Sequence, residues 1–374
     1  MKAIPVNLPD LGEAERAALL ECFDAGWLSS EGPQVAEFER AFASAHGRLH
    51  GIAVSSGTAS LDIAVRALGL GPGNEVLLPS LTIISCAQAV VDSGAKPVPV
   101  DCSREDWNAT LGHFEERLTA STKAIMLVHL YGLCADLEPI IEWSTRHGLV
   151  VIEDASQAQG LVYKNRRCGT FGQVSVFSLY ANKLVTTGEG GMILCDSPHI
   201  AEACRSLRNL CFDHERRFWH RDLGWNYRMS ALQAALGTPQ VGRLDDLAAR
   251  KRHMGARYRR AFERFDCLSL APVEKPYVRN GYWVFGLVVE SRASFTRDDM
   301  IQTLADEQIG SRTFFYGLHE QPALLDKKLI DPVSLPTTAL LSRQGLYLPS
   351  GLGLSEADQD RVIAAVTRFV DSRS

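Results

Sequence analysis

The chain has 374 residues, of which 46% are hydrophobic and 22% charged, with a formal net charge of -5. This composition is that of a globular protein long enough for two domains, and the weak negative charge gives no reason to expect binding to nucleic acid or to an anionic membrane. Its nine cysteines include no CxxC pair, so we expect reduced thiols, without a disulfide framework or a metal site.

The N-terminal region is predicted to be helical. It contains no apolar run long enough for a signal peptide, and no later stretch has the length of a membrane span, so a cytoplasmic location is expected. The helical pattern covers residues 10–46 and is interrupted at residues 27–33 by small polar residues, glycine and proline. Trp27 lies in this interruption, where it could contact a ligand or cover the core.

A first strand–turn–helix unit follows at residues 52–68. The apolar strand 52–54 leads into a turn that contains Gly57 and Thr58, and then into a helix with apolar residues at i, i+3, i+4 and i+7. A turn of small residues before a helix leaves backbone N–H groups pointing outward, which is a phosphate-binding geometry. The serines and threonine of this turn could also simply cap the helix.

Strands and helices then alternate along the chain. The predicted elements are, in order, strand 75–78, helix 85–92, strand 96–100, helix 111–118, strand 124–129, helix 138–147 and strand 149–153. Nearly continuous apolar strands at βαβ intervals are typical of a mainly parallel sheet covered by helices on both faces. We therefore predict an α/β fold with its ligands at the carboxyl ends of the strands.

An acidic residue, Asp154, follows the last of these strands directly. A carboxylate at the end of a buried strand requires a cation or strong hydrogen-bond donors. The protonated nitrogen of a pyridine ring would serve, because a neighbouring carboxylate raises the pKa of that nitrogen and keeps the ring an effective electron sink. Asp154 could instead cap the segment that follows it.

Lys183 follows an apolar strand at residues 174–180 and precedes a glycine-rich loop and a second apolar strand. A charged amine in apolar surroundings is costly unless it is paired or deprotonated. A lysine with a lowered pKa can form a Schiff base with a carbonyl group, as in enzymes that use pyridoxal phosphate (PLP). For this segment alone, a solvated lysine in a surface turn is the simpler interpretation.

The C-terminal part has a different pattern. From residue 229 the chain is predicted to be helical, with a break at residues 237–239 caused by Pro239 and then a long basic helix to about residue 265. A smaller α+β unit is indicated by predicted strands near 282–289 and 311–315 and by a predicted helix at 355–369. We expect a large domain at residues 1–245 and a small C-terminal domain at residues 246–374.

Five motifs together resemble one known family. They are residues 54–59 (VSSGTA), 128–132 (VHLYG), 152–158 (IEDASQA), 188–191 (GEGG) and 225–229 (WNYRM). In their order and spacing they are similar to the nucleotide-sugar aminotransferases of the DegT/DnrJ/StrS family, over nearly the whole chain. The resemblance implies the fold of fold-type-I PLP-dependent transferases, PLP as cofactor, a nucleotide sugar and glutamate as substrates, and a homodimer.

The resemblance also implies roles for individual residues. Lys183 would form the Schiff base, Asp154 would face the pyridine nitrogen, and Gln157 would contact the side of the ring that carries the hydroxyl group. Ile83 stands where members of the family commonly place an aromatic ring, so only an aliphatic contact with the cofactor is expected. The residues that would hold the phosphate are Gly57, Thr58, Ser178 and, from the second subunit of the dimer, Asn226.

Three further segments are similar to those of family members that aminate C4 of GDP-4-keto-6-deoxymannose for lipopolysaccharide O-antigen. The implied substrate-binding residues are Trp27, Ser29, Trp219, His220, Arg228, Arg312, Phe314, Tyr316 and His319. The arginines could hold a carboxylate or a diphosphate, or form structural ion pairs, and the aromatic residues could pack a domain interface. A UDP- or dTDP-linked sugar, a PLP-dependent dehydratase and a PLP-binding regulator are the alternatives, although the related dehydratases carry histidine in place of this lysine.

Overall fold

The computed structural model describes residues 2–213, 215–216 and 218–373. The helices are α1 (Glu13–Asp24), α2 (Pro33–His46), α3 (Gly57–Ala67), α4 (Ser85–Asp92), α5 (Leu111–Glu115), α6 (Leu137–Arg146), α7 (Pro198–Arg208), α8 (Ala231–Val241), α9 (Leu244–Phe262), α10 (Arg297–Asp306), α11 (Pro322–Leu325), α12 (Pro336–Gln344) and α13 (Glu356–Asp371), with a 3₁₀ turn at Leu318–Glu320. The strands are β1 (His50–Val54), β2 (Glu75–Pro79), β3 (Lys96–Val100), β4 (Thr122–Val128), β5 (Val150–Asp154), β6 (Val162–Tyr163), β7 (Arg166–Arg167), β8 (Val174–Ser178), β9 (Gly191–Cys195), β10 (Leu268–Leu270), β11 (Glu274–Lys275), β12 (Val278–Arg279), β13 (Phe285–Val289), β14 (Arg312–Thr313) and β15 (Gly345–Leu348).

The largest sheet has seven strands in the order β1-β9-β8-β5-β4-β2-β3. The neighbours from β8 to β3 pair in parallel, whereas β9 runs antiparallel to both β1 and β8. Alternate residues of each strand pack into two different cores, with Ile125 and Val151 on one face and Met126 and Ile152 on the other. This arrangement confirms the predicted α/β fold with a mainly parallel sheet.

The C-terminal part contains a second, antiparallel sheet in the order β10-β13-β15-β14. Tyr258 and Phe262 from α9 and Val366 and Phe369 from α13 pack into its core. A third, small sheet pairs β12 with β6 and so joins residues near 278 to residues near 163, a connection that the sequence did not predict. The boundary between residues 245 and 246 stays a prediction.

The predicted helix break at residues 237–239 is wrong. Helix α8 continues through Pro239 to Val241, and the chain turns only at Gly242. Proline removes one backbone N–H, but side-chain donors bind carbonyl groups in this turn. Thr238 Oγ1 donates to Ala234 O at 2.9 Å, and Gln240 Nε2 donates to Leu236 O at 2.7 Å.

Two other expectations concern the whole chain. All nine cysteines are free thiols, and eight of them are buried, as expected for reduced residues. No helix in the described part of the chain is long and apolar enough to cross a membrane.

A buried acid–base pair connects the centre of the main sheet to a neighbouring loop. His129 Nε2 lies 2.8 Å from Glu153 Oε1, and both side chains are almost completely excluded from solvent. Glu153 also accepts hydrogen bonds from the backbone N–H groups of Gly169, Phe171 (2.8 Å) and Gly172 (3.2 Å). Burial lowers the pKa of His129, but Cys168 and Glu153 act in the opposite direction and raise this pKa to about 9.

We predict that His129→Ala destabilises the protein strongly, because it leaves a buried carboxylate without its cation. The free energy of unfolding in urea should fall by about 3–5 kcal/mol. The pKa of His129 is raised above its value of about 6.5 in an unfolded chain, so the contribution of the pair is complete below that pH. The difference between wild type and variant should therefore shrink as the pH rises towards 9 and above.

The exposed pair between Lys164 and Glu138 provides a matched control. Lys164→Ala removes one partner of a solvent-exposed ion pair, which is worth at most about 1 kcal/mol. A loss for His129→Ala as small as that of this control would contradict the structural role of the buried pair.

Candidate active site

A cavity of about 380 Å³ lies where β5 and β8 end and α3 begins. Seven of the eight residues predicted for catalysis or cofactor binding line this cavity, and only Asn226 does not. These seven are Gly57, Thr58, Ile83, Asp154, Gln157, Ser178 and Lys183. The fold thus brings together residues that are up to 126 positions apart in the sequence.

The start of α3 forms one end of the cavity. Ser56 caps this helix by accepting a hydrogen bond from Ala59 N at 3.0 Å, so the capping interpretation is correct for that serine. A Cβ atom on Gly57 would lie 2.7 Å from Cβ of Ser178, so only glycine lets the turn approach the end of β8 this closely. Thr58 Oγ1 lies 3.0 Å from Ser85 Oγ, and Ser85 is a lining residue that the sequence argument missed.

Asp154 lies at the carboxyl end of β5, and its side chain is 3% exposed. Its carboxylate accepts hydrogen bonds from Ser156 N at 3.0 Å and from the thiol of Cys86 at 3.4 Å. It forms no ion pair within residues 2–213, 215–216 and 218–373. A buried carboxylate with only neutral donors is suited to receive a cation from a ligand.

Lys183 is half-buried and faces an aromatic ring. Its Nζ atom lies 4.0 Å from the centre of the Trp283 ring, and Trp283 Nε1 donates a hydrogen bond to Asn182 O at 2.9 Å. Burial lowers the pKa of Lys183 to about 8, although the negative charge of Asp154 acts in the opposite direction. About one tenth of this amine is therefore uncharged and nucleophilic at pH 7, against less than about 0.1% of an ordinary lysine.

The remaining walls come from distant parts of the chain. Gln157 Oε1 accepts a hydrogen bond from Tyr131 N at 2.8 Å, which leaves its amide nitrogen for a ligand. Ile83 is 41% exposed and supplies an aliphatic surface, as its sequence position implied. Two aromatic wall residues, Trp283 and Tyr347, were missed because no local motif marks them. A third, Phe315, belongs to the aromatic run of residues 314–316, from which only Phe314 and Tyr316 were assigned to the substrate site.

None of the nine residues expected to bind the substrate lines this cavity. Trp27 and Trp219 are 42% and 58% exposed, and they lie on the surface. Arg228 Nη1 donates a hydrogen bond to Asn209 Oδ1 at 2.6 Å, so it has a partner within the chain. The other exposed members of this set are Ser29, His220, Arg312 and Tyr316.

Two expected substrate contacts are buried elsewhere. Phe314 is 1% exposed and packs against Trp107 and Tyr131 in the core, while its neighbour Phe315 lines the cavity. Successive side chains of an extended segment point to opposite sides, so a shift of one residue exchanges core and cavity. His319 Nδ1 lies 2.8 Å from Ser80 Oγ and faces a different cavity, and burial lowers the pKa of this histidine.

The cavity fits PLP at three points. The hydroxyl groups and N–H groups at the start of α3 suit a phosphate group, and the carboxylate of Asp154 suits a protonated pyridine nitrogen. Lys183 supplies an amine with a lowered pKa, as condensation with an aldehyde requires. The fold and this set of groups define a PLP-dependent enzyme of fold type I.

The chain belongs to the DegT/DnrJ/EryC1/StrS aminotransferase family, whose model matches residues 9–367. A GDP-perosamine synthase of Caulobacter vibrioides is 42% identical over 372 residues, which cover 98% of each chain. A GDP-perosamine synthase of Escherichia coli O157:H7 is 35% identical over 375 residues, which cover 100% of each chain. DesV of S. venezuelae, solved in complex with a ketimine intermediate, superposes with a TM-score of 0.90 at 32% identity and with 99% of each chain covered. The protein is therefore a PLP-dependent sugar aminotransferase.

We predict that borohydride reduction of the PLP-loaded protein fixes the cofactor on Lys183. The labelled peptide can be identified by mass spectrometry. The cofactor-free protein can also be labelled with PLP and borohydride at a series of pH values. The extent of labelling should reach half of its maximum near pH 8, because the amine must be uncharged to react. An ordinary lysine would be less than about 1% uncharged at that pH. Asp154→Asn should move the midpoint to lower pH, because the carboxylate raises the pKa of Lys183.

Lys251 provides an internal control for this experiment. It is also buried, and burial lowers its pKa to about 7, but it does not line the cavity. Lys183→Ala should abolish labelling, and Lys251 should stay unlabelled in every variant. Reduced cofactor on Lys251 or on any other lysine would overturn the assignment of Lys183.

Proposed function

We propose that the enzyme transfers an amino group from L-glutamate to C4 of a GDP-linked 4-keto-6-deoxy sugar, with GDP-4-keto-6-deoxymannose as the best substrate. The observation that carries the proposal is the presence of Lys183 and Asp154 in one cavity of a chain that resembles GDP-perosamine synthases over its full length. The lysine also argues against the dehydratase alternative. The product would be the 4-amino sugar used for lipopolysaccharide O-antigen.

The residues of the cavity suggest how the reaction proceeds. When bound, PLP supplies an electron sink for the carbanion chemistry of amino transfer. Lys183 Nζ, with its pKa lowered to about 8, can both accept and release a proton near neutral pH. In the proposed ping-pong reaction it takes the proton from Cα of glutamate, and in the second half-reaction a proton is delivered to C4 of the sugar.

Two features of the site support this proton transfer. The carboxylate of Asp154 lines the cavity, where it can pair with a protonated ring nitrogen. The aromatic walls formed by Trp283, Phe315 and Tyr347 limit the access of water to Lys183. A drier site strengthens the interaction between these charges.

We also propose that the enzyme is a homodimer in which Asn226 completes the phosphate site of the partner. Asn226 is exposed and lies outside the cavity of its own chain. Large hydrophobic side chains are exposed at several positions, an arrangement that favours an interface with another copy. Among them are Trp27, Leu28, Phe218, Trp219 and Leu223, each at least 42% exposed.

The nucleotide preference can be tested with a panel of 4-keto-6-deoxy sugars linked to GDP, UDP or dTDP. Each is incubated with enzyme, PLP and glutamate, and the aminated product is measured by mass spectrometry. A site that pairs its polar groups with guanine should favour the GDP sugar by at least about tenfold in kcat/KM. Equal or higher values with a UDP or dTDP sugar would refute the nucleotide assignment and leave the aminotransferase class unchanged.

The shared site can be tested by mixing two inactive variants, Lys183→Ala and Asn226→Ala. A mixed dimer contains one site with both defects and one site with neither, so up to half of the activity per mixed dimer should return. Subunit exchange is verified with two affinity tags. Mixed dimers that form but remain as inactive as their parents would show that each site is built from one chain.

A further inference from the structure

A second cavity, of about 250 Å³, lies between α9 and the segment around β12. One side of the cavity is formed by one face of α9 and its end, namely residues 252, 256, 259, 260 and 263. The opposite side is formed by Val273, Arg279 and Tyr282. None of these residues lines the cavity that holds Lys183. The two cavities are therefore separate, although Tyr282 directly precedes the active-site residue Trp283.

The second cavity is strongly basic. Its lining contains four arginine side chains and one carboxylate, that of Glu263, so the net charge of the lining is three positive charges. The arginines are Arg252, Arg259, Arg260 and Arg279. Arg259 donates to Ala271 O at 2.7 Å and lies 3.8 Å from Glu263. The side chains of the other three form no hydrogen bond or ion pair with any residue that the structure describes.

Other arginines of the same helix do have partners. Arg250 pairs with Asp10 at 2.7 Å, and Arg257 pairs with both Glu356 and Asp360 at 2.6 Å. The unpaired arginines are thus not a general property of a solvated basic helix. They converge with Arg279 on one cavity, where Glu263 is the one carboxylate among the lining residues and offsets only part of their mutual repulsion.

Tyr282 contributes a buried hydroxyl group that makes no well-aligned hydrogen bond with any described residue. The residue is 5% exposed, and its hydroxyl oxygen is excluded from solvent. Leaving such a group unpaired costs about 1–3 kcal/mol. Its ring is held against α9 at Gly255, where a Cβ atom would lie 2.4 Å from the ring. Burial raises the pKa of this hydroxyl, while the charges of Arg259 and Arg279 and a side-chain interaction with Arg259 act against the rise.

We propose that this second cavity binds a diphosphate-bearing anion, either free pyrophosphate or a nucleoside diphosphate. Arg252, Arg260 and Arg279 would pair with its oxygens, and the Tyr282 hydroxyl would donate a hydrogen bond to one of them. Three net positive charges exceed what a single phosphate carries, and the volume is large for one phosphate group. The proposal does not depend on which sugar the active site accepts.

The test measures binding of inorganic pyrophosphate and of GDP to the PLP-loaded enzyme by titration calorimetry. Replacing both Arg252 and Arg279 by glutamine should weaken pyrophosphate binding at least about tenfold, because each charge-assisted hydrogen bond is strong. Wild-type binding should also weaken as salt is added. Equal affinities for the two probes would assign the site to the diphosphate group alone, and tighter GDP binding that is lost in the variant would assign it to a nucleoside diphosphate.

A double variant with glutamine at Arg117 and Arg146 is the matched control. It removes the same charge, and neither side chain forms a hydrogen bond with a described residue, so pyrophosphate binding should change less than about twofold. Tyr282→Phe should weaken binding about tenfold with little change in the Tm, since the hydroxyl makes no well-aligned hydrogen bond with a described residue. The proposal would be overturned if the wild type bound neither probe. It would also be overturned if binding were unchanged in the Arg252 and Arg279 variant or in Tyr282→Phe.

Discussion

The active-site geometry depends on the buried contact between Glu153 and His129. Glu153 and Asp154 are neighbours on β5, and their side chains therefore point to opposite faces of the sheet. Glu153 is fixed from three directions: by His129 after β4, by the loop of residues 169–172, and by Ser175 on β8. Asp154 has no ion-pair partner of its own in the described chain. Its position at the cavity follows from the fixed position of its neighbour.

The wall above Lys183 depends on close contact between the main sheet and the C-terminal part. Gly281 N donates to Gly132 O at 2.8 Å, and a Cβ atom on Gly132 would lie 2.5 Å from Tyr282 N. This approach holds the segment that carries Trp283, whose indole N–H then bonds to Asn182 O beside the lysine. Gly132 has a backbone φ angle of 96°, which residues with a Cβ atom rarely adopt.

The sequence could predict the parts of the site that local patterns define. Strand ends fall where apolar runs stop, so Asp154 could be placed from its own segment, and the turn at Gly57 from the helix that follows it. Ser178 was assigned only through the family resemblance, because the predicted strand continued to residue 180, whereas β8 ends at Ser178. Trp283, Phe315 and Tyr347 could not be found in this way, because they reach the cavity only through the packing of the C-terminal sheet. The helix through Pro239 was missed for a similar reason, since the side chain of Gln240 also anchors it to the distant Thr186 at 2.8 Å.

Lys183 and Lys251 show why burial alone does not define a nucleophile. Burial lowers the pKa of both amines, to about 8 and about 7. Lys251 Nζ donates hydrogen bonds to the carbonyl groups of Trp283 (2.8 Å) and Ser350, and it does not line the cavity that contains Lys183. Lys183 forms no such side-chain hydrogen bond within the described residues, and it faces the cavity together with Asp154. The same loss of hydration therefore acts on both amines, and their neighbours make the difference: Lys251 is hydrogen-bonded within the chain, whereas Lys183 faces the cavity.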